Sequence, residues 1–337
     1  MNFRVKNLQR KIASKKLGGF VSFNPSNIFY LTGFRAENSF VFVSRKDIYL
    51  VVSELSYPSA KKHANCKIQI ASDSFFKKYK NKKVGFDNGI SVTRLEKLKK
   101  IKSIKFESCS NFIEDLRLIK DQSEIEKTRT ACKISQKAIR YAKKKLKIGI
   151  TEKELADELE YFLRRNGAEK SAFDIIVASS DDAADPHHKP TNRKIQKNDV
   201  VLIDLGCVFQ GYNSDLTRTF FLGKINKLAK KIFEIVKEAQ RKAISIIKDG
   251  VASKKVDFAA RNFIKENGFE KYFIHGTGHG VGIDIHEEPL ISAKSKTVLK
   301  AGMVVTVEPG IYIPDKFGVR IEDTVLVTKS GCEVLTI

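Results

Sequence analysis

Lys147–Lys170 reads KIGITEKELADELEYFLRRNGAEK, and Lys248–Lys271 repeats its outline as KDGVASKKVDFAARNFIKENGFEK. Lys147/Lys248, Gly149/Gly250, Lys153/Lys254, Phe162/Phe263, Asn166/Asn267, Gly167/Gly268, Glu169/Glu270 and Lys170/Lys271 match at a constant offset of 101 residues. Lysine and glutamate matches are cheap in a lysine-rich chain, but gapless identity over this window points to an internal repeat. Each copy opens a helix that closes on Asn-Gly, and each half of the region then reads helix, helix, strands. A duplicated αα–ββ unit builds a pseudo-symmetric domain with a cleft between its halves. Sites form in clefts of that kind.

Upstream of the repeat the pattern changes near Asp121. Ser123 and Glu126 have the spacing of a capping box, which predicts a long helix running towards Lys147. Before that point the chain alternates short strands with basic helical stretches such as Val92–Lys100. Phe20–Phe23, Phe40–Val43, Ile48–Val52, Ile68–Ile70, Lys83–Phe86 and Ile104–Glu107 are the expected strands, being rich in β-branched and aromatic residues. The reading is therefore two domains, residues 1–121 and 122–337, of mixed α/β (α+β) class. The first domain shows no catalytic pattern, and His63 sits in a lysine-rich, solvated stretch.

The bulk composition is that of a globular protein: 42% apolar and 30% charged residues over 337 positions. The basic start has no apolar core of a signal peptide, and no apolar run approaches the roughly 20 residues that span a bilayer. Five scattered cysteines without a CxxC argue against a disulfide framework or thiolate zinc, and fit a reducing cytoplasm. The formal net charge of +23 raises nucleic-acid binding. The lysines, however, are spread along the whole chain without an aromatic-interleaved stripe, which reads as a solvated surface.

Carboxylates interrupt apolar strands in both halves. Val200–Phe209 (VVLIDLGCVF) contains Asp204, Gln210–Asn213 is a turn, and Ser214–Leu222 (SDLTRTFFL) returns with Asp215. A hairpin about that turn sets the two aspartates opposite or diagonal to each other. Met303–Glu308 (MVVTVE) ends in Glu308, and Val319–Val327 (VRIEDTVLV) carries Glu322 and Asp323 as a second strand. Like charges buried together require a raised pKa or a cation between them. Phe273–Pro289 (FIHGTGHGVGIDIHEEP) adds His279 as a nitrogen ligand. Its glycines fit neither GxGxxG nor a Walker loop, and suit close backbone approach instead. This oxygen-rich, thiolate-free set favours Mn²⁺, Co²⁺, Fe²⁺ or Zn²⁺ in a two-metal site.

Six motifs, in order, carry a resemblance: Leu202–Gly206 (LIDLG), Ser214–Thr219 (SDLTRT), His275–Gly282 (HGTGHGVG), His286-Glu287, Val307–Gly310 (VEPG) and Val319–Thr324 (VRIEDT). The second domain resembles the M24 "pita-bread" metallopeptidases, which include methionine aminopeptidase, Xaa-Pro aminopeptidase, prolidase and the metal-free relative creatinase. Tyr30–Phe34 (YLTGF) resembles the creatinase-type amino-terminal domain of the proline-directed branch. The resemblance implies two divalent ions, with Asp204 on one, Asp215 and Glu322 bridging both, and His279 and Glu308 completing the other. It implies catalytic roles for Glu308, as general base and proton shuttle, and for His187 and His286, beside the scissile carbonyl. His275 and Arg320 match positions that either support the metal ligands from behind or line the substrate pocket, and are taken as substrate-binding. Ser179–His188 (SSDDAADPHH) departs from the family pattern at Asp181, Asp182, Asp185 and His188, which receive no role.

The expectation is hydrolysis of the bond before proline in Xaa-Pro peptides. Xaa-Pro aminopeptidase is the first reading and prolidase, limited to Xaa-Pro dipeptides, the alternative. A non-catalytic pita-bread protein binding nucleic acid or ribosomes is the reading from another class, and the full ligand set weighs against it. The resemblance further implies a homodimer. Mn²⁺ stands first among the metals that the ligand set accepts, and composition leaves a cytoplasmic protein with no specific nucleic acid and no membrane as partners.

Overall fold

A computed structural model describes residues 3–35, 37–72 and 74–337, and the chain divides into two compact units, Met1–Arg117 and Leu118–Ile337. In the first unit a six-stranded mixed sheet runs in the order Lys67–Ile70, Ile48–Val52, Phe40–Ser44, Gly19–Ser22, Lys83–Asp87, Lys105–Cys109. The β-branched and aromatic runs form these strands within a residue or two of the expected ends. Phe75 packs edge-on to Phe40, Phe42 and Phe76 at centroid distances of 5.5, 5.5 and 5.0 Å, which makes the core of this unit largely aromatic. The Tyr30–Phe34 motif closes the helix Pro25–Thr32, whose last turn is terminated by Gly33 at φ 71°.

The second unit opens with the helix Gln122–Lys145. Its capping box is formed by Asp121 and Glu124, not by Ser123 and Glu126 as the sequence suggested. The Glu124 amide donates to Asp121 Oδ1 at 3.0 Å, and the Asp121 amide donates to Glu124 Oε2 at 2.9 Å. Asp and Ser are equivalent N-caps, and Glu stands at N3 in either frame. The earlier frame prevails because Glu124 is buried and its Oε1 also accepts the Tyr212 hydroxyl at 3.0 Å.

The repeat is visible as structure. Helices Glu152–Arg165 and Ser253–Glu266 start and end at the offset of the sequence repeat. Their buried stripes coincide as well: Leu155, Leu159 and Leu163 in one, Val256, Ala260 and Ile264 in the other. That is the i, i+4, i+8 spacing of a helix with one apolar face. Each helix enters through a left-handed glycine, Gly149 at 92° and Gly250 at 85°. Each ends with an asparagine side-chain amide on a phenylalanine carbonyl, Asn166 to Phe162 and Asn267 to Phe263.

The first half covers its helices with a sheet in the order Leu216–Phe221, Val200–Leu205, Ile176–Ser179. The second half uses a five-stranded sheet in the order Glu287–Ile291, Gly278–Gly280, Val304–Val307, Asp323–Val327, Cys332–Val334. Each half has its own apolar core, one centred on Leu159 and Ile203, the other on Ile232 and Val305. The expected turn at Gln210–Asn213 is a two-residue hairpin, with Gln210 at φ 47° and Gly211 at φ 79° between paired Phe209 and Tyr212.

The single strand expected over Val319–Val327 is broken. Phe317–Arg320 pairs with Gly310–Ile313, whereas Asp323–Val327 pairs with Val304–Val307. Ile321 and Glu322 form the step between the two sheets. There the Glu322 amide donates to the Thr217 carbonyl of the first half at 3.2 Å, so the crossing that breaks the strand also aims Glu322 at the seam. Among the described residues, no helix is long and apolar enough to cross a membrane.

Candidate metal centre

The seam between the two halves opens into a cleft of about 760 Å³ lined by Asp204, Asp215, His279, Glu308 and Glu322 together with His187, His275, His286 and Arg320. Every site residue read from the sequence therefore lies on one surface. Strand register explains the floor. Thr217 faces Asp204 in the Val200–Leu205/Leu216–Phe221 ladder, so Asp215, two residues earlier, lies diagonally across from Asp204. Glu308 follows the end of Val304–Val307, and its amide donates to the Thr277 carbonyl at 2.8 Å.

The glycines around His279 allow that approach. A Cβ at Gly278 would lie 2.1 Å from the Thr306 carbonyl oxygen, and one at Gly280 would lie 2.3 Å from the Glu288 carbonyl oxygen. Neither position can hold a side chain while the strand stays this close. Asp257, on the helix Ser253–Glu266, fixes the same strand from behind by accepting the Thr277 amide at 3.1 Å and hydroxyl at 2.9 Å.

Ligand atoms of Asp215, His279 and Glu322 lie within 4.8 Å of one another. His279 donates through Nδ1 to the Gly280 carbonyl at 3.0 Å, which turns Nε2 towards Glu308 Oε1 at 3.2 Å and Asp215 Oδ2 at 3.6 Å. That second bond fixes the ring as a metal-binding histidine requires. The Thr306 hydroxyl donates to Glu308 Oε1 at 3.0 Å, and the Thr217 hydroxyl to Glu322 Oε2 at 2.6 Å. Asp204 Oδ2 accepts from Arg320 Nη2 at 2.6 Å.

Two oxygens of this set, Asp204 Oδ1 and Glu322 Oε1, are buried without a hydrogen-bond donor among the described residues. Buried carboxylate oxygens are normally satisfied. Burial pushes the Asp204, Asp215 and Glu322 carboxyls above the usual range, Asp215 and Glu322 strongly, and mutual repulsion adds to it. Glu308 moves the other way. Burial opposes its charge, yet the His279 contact draws it down to about 2 and lifts His279 to about 9. The His279 imidazolium and the Arg320 guanidinium together cannot neutralise four carboxylates, and divalent cations satisfy both the orphaned oxygens and the surplus charge. The residues present thus fit a hard-to-borderline metal site with oxygen donors and one nitrogen.

The walls differ from the floor. Burial lowers the His286 and His275 pKa values, so both rings are neutral near pH 7. The His286 ring stands 4.4 Å from the His279 ring, and His187 is exposed to the cleft. His275 belongs to a buried relay: Arg320 Nη1 donates to the Tyr312 hydroxyl at 2.8 Å, which donates to His275 Nε2 at 3.0 Å, and His275 Nδ1 donates to the Gly276 carbonyl at 2.7 Å. Burial raises the Tyr312 phenol to about 12, so it stays a donor. Tyr312, Thr217, Thr306 and Asp257 were not singled out from sequence. Thr217 had a signal, because period-2 alternation puts it on the face of Asp215. Tyr312 had none, being one more large residue in an apolar strand.

Residues 126–329 match the model for metallopeptidase family M24, and residues 4–119 match that for the creatinase/prolidase N-terminal domain. The Xaa-Pro dipeptidase of Pyrococcus horikoshii is 40% identical over 341 aligned residues, which span 100% of this chain and 97% of that one. The prolidase structure from Pyrococcus furiosus superposes with a TM-score of 0.92 at 40% identity, covering 98% of this chain and 99% of its own. The X-Pro aminopeptidase structure from Thermotoga maritima superposes with a TM-score of 0.93 at 33% identity, covering 99% of this chain and 97% of its own. With both of its units matched in order and its full length aligned to such relatives, the chain belongs to metallopeptidase family M24.

Proposed function

We propose that the protein is a prolidase, hydrolysing the bond before proline in Xaa-Pro dipeptides at two divalent ions held by Asp204, Asp215, His279, Glu308 and Glu322. The observation that carries the metal-dependent reading is the pair of orphaned buried oxygens, Asp204 Oδ1 and Glu322 Oε1, on residues that line one cleft with the other candidate ligands. The relatives support the shorter substrate. Those named Xaa-Pro dipeptidase and prolidase reach 40% identity over nearly the whole chain, against 33% for the X-Pro aminopeptidase. The prolidase alternative therefore replaces the aminopeptidase reading placed first from sequence. When bound, the ions supply Lewis acidity and lower the pKa of water.

The chain's own groups supply the rest. Glu308 takes a proton from the attacking water at its carboxylate and passes it to the proline nitrogen. Neutral His286, and His187 beside it on the cleft wall, offer N–H donors to the carbonyl oxygen as negative charge develops on it. Arg320 holds Asp204, and the Tyr312–His275 relay holds Arg320. Mn²⁺ as the working metal and a homodimer as the assembly complete the proposal; metal titration and light scattering test them.

The deciding assay incubates the protein with Mn²⁺ and offers an Xaa-Pro dipeptide and an Xaa-Pro-Yaa tripeptide side by side, with Glu308→Ala as control. Cleavage of the dipeptide alone is expected. Cleavage of the tripeptide returns the aminopeptidase reading, and cleavage of neither with Mn²⁺, Co²⁺, Zn²⁺ or Fe²⁺ defeats the proposal.

A further inference from the structure

Two of the departures that the family motifs leave without a role, Asp182 and His188, lie beside a buried carboxylate, Glu152, that the second copy of the repeat does without. Glu152 opens the helix Glu152–Arg165 and is 0% exposed. Its position one repeat later is Ser253, also 0% exposed, which is satisfied by the Ser295 hydroxyl at 2.7 Å. Both backbones do the same work: the Glu152 amide donates to the Arg193 carbonyl and the Ser253 amide to the Thr297 carbonyl. The second half closes its helix entry with a serine. The first half buries a charge there instead.

That charge is an anchor for the cleft wall. Glu152 Oε1 accepts from the Ser179 amide at 2.7 Å and hydroxyl at 2.6 Å. Oε2 accepts from His188 Nε2 at 2.9 Å, the Thr191 amide at 3.1 Å and the Thr191 hydroxyl at 2.9 Å. Although Glu152, Asp182 and His188 bring ligand atoms within 4.8 Å, five donors already saturate the carboxylate, so the trio is a hydrogen-bond hub and not a vacant metal site. Arg193 balances the hub by bonding Asp199 at 2.8 Å and the Ser179 hydroxyl. On the other side of His187, Asp185 Oδ1 accepts the His187 amide at 2.9 Å. The exposed His187 is thus bracketed: its own amide is tied to Asp185, and the next side chain is tied to a buried carboxylate.

We infer that His188, anchored on Glu152, is a positioning residue that holds His187 against the reacting carbonyl, with Asp185 as its second support. This rests on the prolidase reading above, in which His187 contacts substrate. Displacing a polar group by about 1 Å costs on the order of 100-fold in rate, so His188→Ala should lower kcat by about 10-fold to 100-fold with KM little changed. The test is a double-mutant cycle with His187→Ala, on metal-loaded protein of verified metal content. If His188 acts through His187, His188→Ala costs less than about twofold further in the His187→Ala background, where positioning no longer has an object. His188→Gln, which keeps an N–H donor for Glu152, should recover most of kcat.

A full further loss in the His187→Ala background, or a rise in KM with kcat intact, overturns the assignment. Hydrogen exchange of the peptide covering residues 185–191 gives a second readout without turnover: faster in His188→Ala, restored in His188→Gln. An unchanged rate also overturns the assignment, whereas wild-type protein that cleaves no Xaa-Pro dipeptide but shows the exchange pattern defeats only the prolidase reading.

Discussion

Removing one oxygen atom by Tyr312→Phe tests the buried relay behind the metal floor. The ring stays, so no cavity of consequence forms, and only the hydroxyl contacts are lost. Arg320 Nη1 loses its 2.8 Å acceptor and His275 Nε2 its 3.0 Å donor. An unsatisfied buried polar group costs about 1–3 kcal/mol, more if charged. Arg320 has partial relief, since the Pro186 carbonyl lies 3.4 Å from the same nitrogen, so its share belongs at the low end. The sum is about 2–4 kcal/mol. For a domain of this size each kcal/mol shifts the midpoint by about 2–4 °C, which gives a fall of roughly 4–16 °C. Thermal melting followed by circular dichroism, on wild type and variant with the same metal content, measures it. Tyr161→Phe is the control: Tyr161 is 65% exposed, and its midpoint should stay within about 1 °C. A Tyr312→Phe midpoint indistinguishable from wild type would show that the relay is not a stabilising network and that Arg320 is held by its other partners, Asp204, Thr217 and the Pro186 carbonyl.

Acidity and metal should act in opposition. Asp215 and Glu322 have raised carboxyl pKa values, so the stability they contribute to metal-free protein is present at acid pH and lost as pH climbs through their folded values. His279, lifted to about 9, adds a loss in the same direction above its ordinary value of 6.5. Because a metal requires all three deprotonated, the rise in melting temperature caused by Mn²⁺ should be larger near pH 8 than near pH 5; a rise independent of pH would contradict the ligand set. Gly278→Ala places a methyl 2.1 Å from the Thr306 carbonyl; metal content and melting temperature should both drop, and a variant with normal metal binding would show that the strand can shift. Leu159→Ala, at a fully buried position of the first core, should cost about 2–5 kcal/mol in urea unfolding, and a cost under about 1 kcal/mol would contradict its place on the helix stripe.

Much of this was legible in the chain. The 101-residue offset marked both helix pairs because glycine entries and Asn-Gly exits are local and few residues substitute for them. Asp204, Asp215, Glu308 and Glu322 stood out because a carboxylate inside an apolar strand has no bland explanation. The break at Ile321–Glu322 was not legible. It depends on which neighbouring strand each segment pairs with, and VRIEDTVLV has one β-rich composition throughout. The capping box at Asp121 lost out to Ser123 because both frames carry the same local signal, and only the tertiary bond from Tyr212 separates them. Glu152 is, in sequence, one more acid in a helix's first turn. Its partners Ser179, His188 and Thr191 are remote in sequence, and nothing local announces burial.

The donor set is shared unevenly between the halves of the second unit: Asp204 and Asp215 come from the first, His279, Glu308 and Glu322 from the second. Neither half alone can present more than part of the coordination sphere. On the proposed ligand set, holding the ions would be a property of the docked pair, and metal affinity would gauge how firmly the two cores are joined. A chelator should loosen both halves together, in a single transition, although each has an apolar core of its own.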